Sequence, residues 1–239
     1  MADFSLRIIK KEEIARETMA IHFAKPEGFE YRAGQYAKFT IINPPETDTE
    51  GNSRVFSLAS APLEKDLIIA TRLRDSAFKR VLRNLSVGSE IKMEGPHGDF
   101  VLPGDPVATV VFLIGGIGIT PVRSMIAQAT LERSPQKILL LYSNRTEKDA
   151  AFMGDLDYFA GKNKHFTFVP AITGDSAAFR TGETGRVTKE MLRKYVPDVN
   201  LPRYYFSGPG GMVTAMRQML INAGVGEGNI RTEEFPGYG

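Results

Sequence analysis

Gly115-Gly116-Ile117-Gly118-Ile119-Thr120-Pro121 follows directly on the apolar run Val110-Val111-Phe112-Leu113-Ile114 and precedes a helical pattern. A buried strand, a glycine turn and a helix start in that order make a phosphate cradle. Glycine lets the backbone turn sharply and approach a ligand closely, and the unpaired N–H groups of the first helical turn point at an anion. The dinucleotide fingerprint G-x-G-x-x-G asks for glycine in its last place. Here Pro121 holds it, a residue suited to the first turn of a helix. A strand-to-helix turn without a ligand shows the same local pattern, so the rest of the chain has to decide.

Outward from this loop the periodicity differs on the two sides. Towards the C-terminus, apolar strands alternate with amphipathic helices: strand 107–114 into helix 121–133, strand 137–142 into helix 149–159, strand 165–172, helix 188–195, strand 204–207 and helix 210–223. That alternation predicts a parallel sheet with helical crossovers. Before Pro103-Gly104-Asp105-Pro106 come short alternating segments at 36–42, 67–71 and 90–93, separated by Gly, Pro and Asn turns, an all-β rhythm. Residues 43–53 read as a loop. The chain is expected to form two domains, 1–104 and 105–239.

Composition narrows the chemistry. The 239 residues contain no cysteine, which excludes disulfides, a thiolate nucleophile and a cysteine-held iron-sulfur cluster. His22, His97 and His165 are scattered without ligand spacing, so no metal site is expected. A net charge of +2 suits an acidic partner but falls short of a nucleic-acid footprint. No apolar run approaches the roughly 18 residues of a membrane span, and residues 1–7 carry no secretion signal. The expectation is a cytoplasmic protein without membrane insertion, a monomer or weak dimer.

In the β half, Arg54-Val55-Phe56-Ser57 places Arg54 and Phe56 on one face of a strand and Ser57 on the other. Arg54 can pair bidentately with a pyrophosphate, Phe56 can stack on a planar ring, and Ser57 can hydrogen-bond a ring nitrogen. An ordinary barrel strand carries the same pattern.

Taken in order, these motifs resemble the ferredoxin-NADP reductase superfamily of two-domain FAD/NAD(P)-binding oxidoreductases, here without an iron-sulfur domain. Gly34-Gln35 resembles the G-Q motif of the flavin barrel, and Arg54 to Ser57 its R-x-Y/F-S motif. Gly95-Pro96-His97-Gly98-Asp99-Phe100 is similar to the G-P-x-G-x-F turn, Gly115 to Pro121 to the pyridine-nucleotide loop, and Ser207-Gly208-Pro209 with Met212 to the C-G-P-x-x-M turn. Each is weak alone; their collinearity is strong. The resemblance implies a six-stranded antiparallel β-barrel that binds FAD, followed by an α/β parallel sheet that binds NAD(P).

It also implies roles. Arg54 would hold the FAD phosphates, with Val55, Phe56, Ser57 and Arg72 in the flavin site. Ser57 would bond the nitrogen that receives hydride. Ser76, Ala77, Phe78 and Lys79 occupy the family's G-x-x-S phosphate position, with Ser for Gly and Lys for Ser. Gly116, Gly118, Thr120 and Pro121, then Gly208, Pro209 and Met212, would hold the nicotinamide nucleotide. Ser207 stands where the family has Cys, and Glu233 is a proton-relay candidate. Phe235 would cover the flavin, with Tyr238 as an alternative. Asn144, Arg145 and Asp149 follow the second parallel strand, where the adenosine ribose belongs. Asp149 favours NADH, and Arg145 leaves NADPH open.

The implied function is hydride transfer from NAD(P)H to FAD and electron delivery to a separate soluble, acidic carrier: a ferredoxin, flavodoxin, cytochrome or oxygenase component. A flavin reductase using free flavin as substrate and a non-catalytic flavin or nucleotide sensor are the alternatives.

Overall fold

The computed structural model describes residues 2–174 and 181–235. The N-terminal half contains β1 (Ala2–Ala15), β2 (Thr18–Ala24), β3 (Tyr36–Ile41), β4 (Ser53–Ser57), β5 (Asp66–Arg72), helix α1 (Ala77–Asn84) and β6 (Glu90–His97). All six strands pair antiparallel in the order β4-β3-β6-β1-β2-β5. Phe56 from one edge strand and Leu67 and Ile69 from the other share a single core with Ile21, Phe39 and Met93. The sheet is therefore rolled round that core as a barrel. Helix α1 starts at Ser76, whose hydroxyl accepts from the Lys79 N–H at 3.3 Å. It turns Phe78, Val81 and Leu82 into the barrel.

The C-terminal half runs β7 (Val110–Gly115), α2 (Ile119–Leu131), β8 (Ile138–Asn144), α3 (Met153–Lys162), β9 (Phe166–Ile172), β10 (Glu183–Thr184), α4 (Lys189–Tyr195), β11 (Arg203–Gly208), α5 (Gly210–Asn222) and β12 (Ile230–Glu234). The strands lie parallel in the order β10-β9-β8-β7-β11-β12. Every residue of β7 is buried, as a central parallel strand covered on both faces requires. The two halves share apolar packing. Ala20, Ile68 and Ala70 on the outside of the barrel join Val122, Met125 and Ile126 of α2 in one cluster. No helix among the described residues is long and apolar enough to cross a membrane.

Element types follow the sequence reading except at one helix, and the long hairpin β1–β2 was not anticipated. The helix expected over 149–159 begins only at Met153. Thr146 and Asp149 close a capping box round a single 3-10 turn, and Phe152 adopts a left-handed φ of 61°. The local cap satisfies the turn by itself, so the helix restarts one turn later.

Candidate functional site

The glycine run is built as the sequence suggests, with a division of labour the sequence did not show. Gly116 has φ 53°, and a Cβ there would stand 3.2 Å from the Arg72 guanidinium. A Cβ on Gly118 would overlap the Ser207 carbonyl, so the loop lies flat on the end of β11. Tyr142 pins it from the other side: its hydroxyl donates to the Gly116 carbonyl at 3.0 Å and accepts from the Ala151 N–H at 3.1 Å. Burial raises the Tyr142 phenol pKa above its ordinary value, which keeps it a donor.

An open cleft lies over this loop. Arg72, Gly116, Asn144, Arg145, Gly208, Pro209, Met212 and Phe235 line it, all of them anticipated cofactor residues. The Phe235 N–H donates to the Gly208 carbonyl at 3.2 Å. Tyr238 lies outside the described residues. Gly118, Thr120 and Pro121 correct the expectation, for they are buried beneath the cleft. Thr120 is 1% exposed and gives its hydroxyl to the Ile117 carbonyl at 3.1 Å. They shape the turn rather than face a ligand.

Three buried polar side-chain atoms among the described residues have no hydrogen-bond partner: Asn144 Oδ1, Ser207 Oγ and Glu233 Oε2. All three sit at the carboxyl ends of parallel strands, on β8, β11 and β12, and Ser207 lies in register with Glu233 and with Ile114 of β7. Burial, and after it the Asp99 carboxylate, pushes the Glu233 carboxyl up to about 7. Unpartnered buried polar atoms are rare in folded proteins, and a bound water or ion, local strain or a catalytic role accounts for them. Their position is where open α/β sheets bind nucleotides.

On the barrel side, Ser57 is buried and pairs with Tyr36. Phe56 corrects the stacking expectation. Cross-strand register sets Phe56 opposite Ala37 and Arg54 opposite Phe39, both fully buried, so the pleat turns Arg54 and Phe56 inward together. Phe56 packs edge-on against Phe39 and beside Phe78 with centroids 5.8 Å apart in each case, and Val55, 62% exposed, is the outward residue. Phe78, 2% exposed, is likewise a core residue rather than a cofactor contact.

The Arg54 guanidinium emerges over the Phe78 ring, 5.2 Å from its centroid, beside the start of α1. There Asp48 bridges two donors, taking hydrogen bonds from Arg54 Nη2 at 2.9 and 3.2 Å and from the Ala77 N–H at 3.1 Å. A guanidinium and a helix N-terminus that converge on one carboxylate form a donor set suited to a phosphate, with Asp48 as the stand-in anion. Ser76 and Lys79, the expected phosphate contacts, meet in the cap of this helix through the Lys79 N–H and the Ser76 hydroxyl.

Asp149 corrects the ribose assignment. Its Oδ1 is held by Arg16 Nε at 2.9 Å and Nη2 at 2.5 Å, and its Oδ2 accepts from the Thr146 N–H at 3.1 Å and hydroxyl at 2.7 Å. Burial raises this carboxyl, but the bonds from Thr146 and Arg16 outweigh it and hold the pKa below the ordinary value. The carboxylate ties the β1–β2 turn to the C-terminal half, and with Arg72 and Arg145 it lines a cleft adjoining the one over the glycine loop. Arg16, Asp48 and Tyr142 were missed in the sequence because their partners lie 133, 29 and 26 residues away.

Residues 112–218 match the oxidoreductase NAD-binding domain family. The CDP-6-deoxy-L-threo-D-glycero-4-hexulose-3-dehydrase reductase of Yersinia pestis is 30% identical over 209 residues, 86% of this chain and 60% of that protein. A solved Amycolatopsis cytochrome P450 reductase superposes with a TM-score of 0.83 at 25% identity, covering 98% of this chain and 70% of that one. A ferredoxin NADP+ reductase from Neisseria gonorrhoeae, solved with bound FAD and NADP, gives 0.81 at 21% identity over 97% of this chain and 98% of that one, a likeness of fold. The chain spans about 60% of the length of the curated relatives it matches. A rolled antiparallel sheet ahead of a matched oxidoreductase NAD-binding domain makes this chain ferredoxin-NADP reductase-like in its two-part fold.

Proposed function

We propose that this chain is an FAD-dependent NAD(P)H oxidoreductase, with FAD held by residues 1–104 and NAD(P)H by residues 105–239, that delivers electrons to a separate soluble, acidic carrier protein. The observation that carries the reading is the set of orphaned acceptors on Asn144, Ser207 and Glu233 at the carboxyl ends of parallel strands. The names of the similar proteins, reductases that serve a dehydrase or a cytochrome P450, support the same class.

FAD, when bound, supplies a hydride acceptor that can release electrons one at a time. The chain's own groups bind and orient. Gly116 and the N–H groups before α2 receive a pyrophosphate, and Met212 and Phe235 wall the cleft. Ser207 Oγ and Glu233 Oε2 lie buried and unpartnered at the strand ends behind this cleft, and a carboxyl pushed up to about 7 can take or give a proton at working pH. Ser57 orients the ring edge that faces them.

The test is anaerobic mixing of the FAD-loaded protein with NADH or NADPH while flavin absorbance is followed. Bleaching at a saturable rate is expected; an unchanged flavin spectrum with both nucleotides would leave only a binding role. With the Asp149 carboxylate engaged by Arg16 and Thr146, and Arg72, Arg74 and Arg145 lining the same adjoining cleft as Asp149 and Glu17, NADPH becomes the second reading for the nucleotide. Arg145→Ala should then lower kcat/KM for NADPH by roughly tenfold or more, one charge-assisted contact, and change NADH little. Equal losses with both nucleotides would remove Arg145 from discrimination.

A further inference from the structure

The loop 43–53 carries acids on alternate positions, Glu46, Asp48 and Glu50, and all three pair with arginines, Asp48 and Glu50 with Arg54 of β4 and Glu46 with Arg80 of α1. Glu46 takes Arg80 Nε at 3.1 Å and Nη2 at 2.6 Å. Asp48 takes Arg54 and the Ala77 N–H, and Glu50 lies 3.0 Å from Arg54 Nη2. The loop backbone closes the remaining valences: Arg54 Nη1 donates to the carbonyls of Glu50, Gly51 and Ser53 at 3.1, 3.0 and 2.8 Å. Arg54 is only 17% exposed beneath this segment. Both terminal nitrogens of Arg54 and the Ala77 N–H, donors that a flavin phosphate would use, are thus already engaged by the chain itself.

We propose that residues 46–50 form an internal anionic strap, in which Asp48 occupies the place of a flavin phosphate and must leave before a phosphorylated flavin can bind. The proposal rests on the reading of Arg54 and α1 as the flavin phosphate site. It makes Asp48 the residue that sets flavin affinity. A phosphate brought to Arg54 meets Asp48 and Glu50 within the same few ångströms, so like-charge repulsion forbids joint occupancy, and strap and phosphate exchange. The apparent affinity of a site whose open form is a minor population falls by that population. A strap closed nine-tenths of the time weakens binding about tenfold. Riboflavin has no phosphate to compete, so its affinity does not depend on the strap.

The flavin-free full chain should be titrated with FAD, FMN and riboflavin, following flavin fluorescence, for the wild type, Asp48→Asn and Glu50→Gln. Thermal melts of the apo proteins report folding. Asp48→Asn is expected to tighten FAD and FMN about tenfold with riboflavin unchanged. Glu50→Gln should give a smaller gain in the same direction, since the Glu50 side chain is exposed and pairs with Arg54 but not with the Ala77 N–H. FAD affinity within twofold of wild type in Asp48→Asn, or an equal gain for riboflavin, overturns the strap and leaves the flavin reading intact. Absence of binding of all three flavins by every protein overturns the flavin reading and the strap with it.

Discussion

Glu233 joins burial to function in a single side chain. Its carboxyl titrates near 7 rather than 4.5 because the folded chain desolvates it and sets Asp99 nearby. The folded state therefore keeps a proton that the unfolded state has lost between those two values. Stability falls as pH rises through that window, and the penalty is fully present above 7. Glu233→Gln cannot titrate, so its Tm should match wild type near pH 4, below the window, and exceed it at pH 8, by about 2–4 °C for each kcal/mol of penalty. The variant should also lose any step near pH 7 in the rate of flavin reduction. Melts that differ by the same amount at both pH values would show that Glu233 is charged throughout. The residue itself was legible in the sequence through the E-x-aromatic ending. Its pKa was not, because burial comes from the fold.

At the scale of elements, the glycine loop is held by close packing against the end of β11. Gly118 has ordinary helical dihedrals, with φ −58° and ψ −8°, so an added methyl brings no backbone strain. The obstacle is steric, since its Cβ would fall 2.7 Å from the Gly208 nitrogen and closer still to the Ser207 carbonyl. Gly118→Ala should cost about 1–3 kcal/mol by overpacking. It should also weaken nucleotide binding, because β11 and the loop must part. Urea unfolding and a nucleotide titration check both, and a stable variant with normal affinity would mean that the loop can slide. The sequence pointed to Gly118 as a ligand contact, and the structure makes it a contact between two elements. The same local pattern serves either purpose until β11 is placed beside it.

Over the whole molecule, the two halves are tied by polar clamps as well as by apolar packing. Arg123 on α2 is 5% exposed. It meets Glu64 of the barrel half at 2.8 and 3.0 Å, the Ala59 carbonyl at 2.9 Å and Asp155 of α3 at 2.6 Å. Its guanidinium also lies over the rings of Phe152 and Phe159, 5.2 and 5.7 Å from their centroids. Arg123→Ala removes the cation from Glu64 and Asp155, whose side chains are 23% and 41% exposed and can be reached by water. A loss of about 1.5–3 kcal/mol in chemical denaturation is expected, the worth of charge-assisted hydrogen bonds. A change below roughly 1 kcal/mol would place Arg123 among weak surface pairs instead. Arg16 with Asp149 forms a second clamp across the same boundary.

The sequence by itself determined the class of each half, because hydrophobic period is a local property. Runs such as residues 110–114 and 138–142, with helical patterns between them, admit only a covered parallel sheet. Alternation at 36–41 and 90–93 gives strands with one buried face. It also gave the order of the site motifs, and many of the residues they name line one cleft over the glycine loop. Tertiary structure alone decided which charged groups are already engaged. Asp149 reads as a ribose ligand until Arg16, 133 residues earlier, is seen to hold it, and Arg54 reads as an open phosphate donor until the loop ahead of it folds over its guanidinium. The physical reason is that a charge is neutralised by whatever opposite charge comes within a few ångströms, and spacing along the chain does not encode that distance.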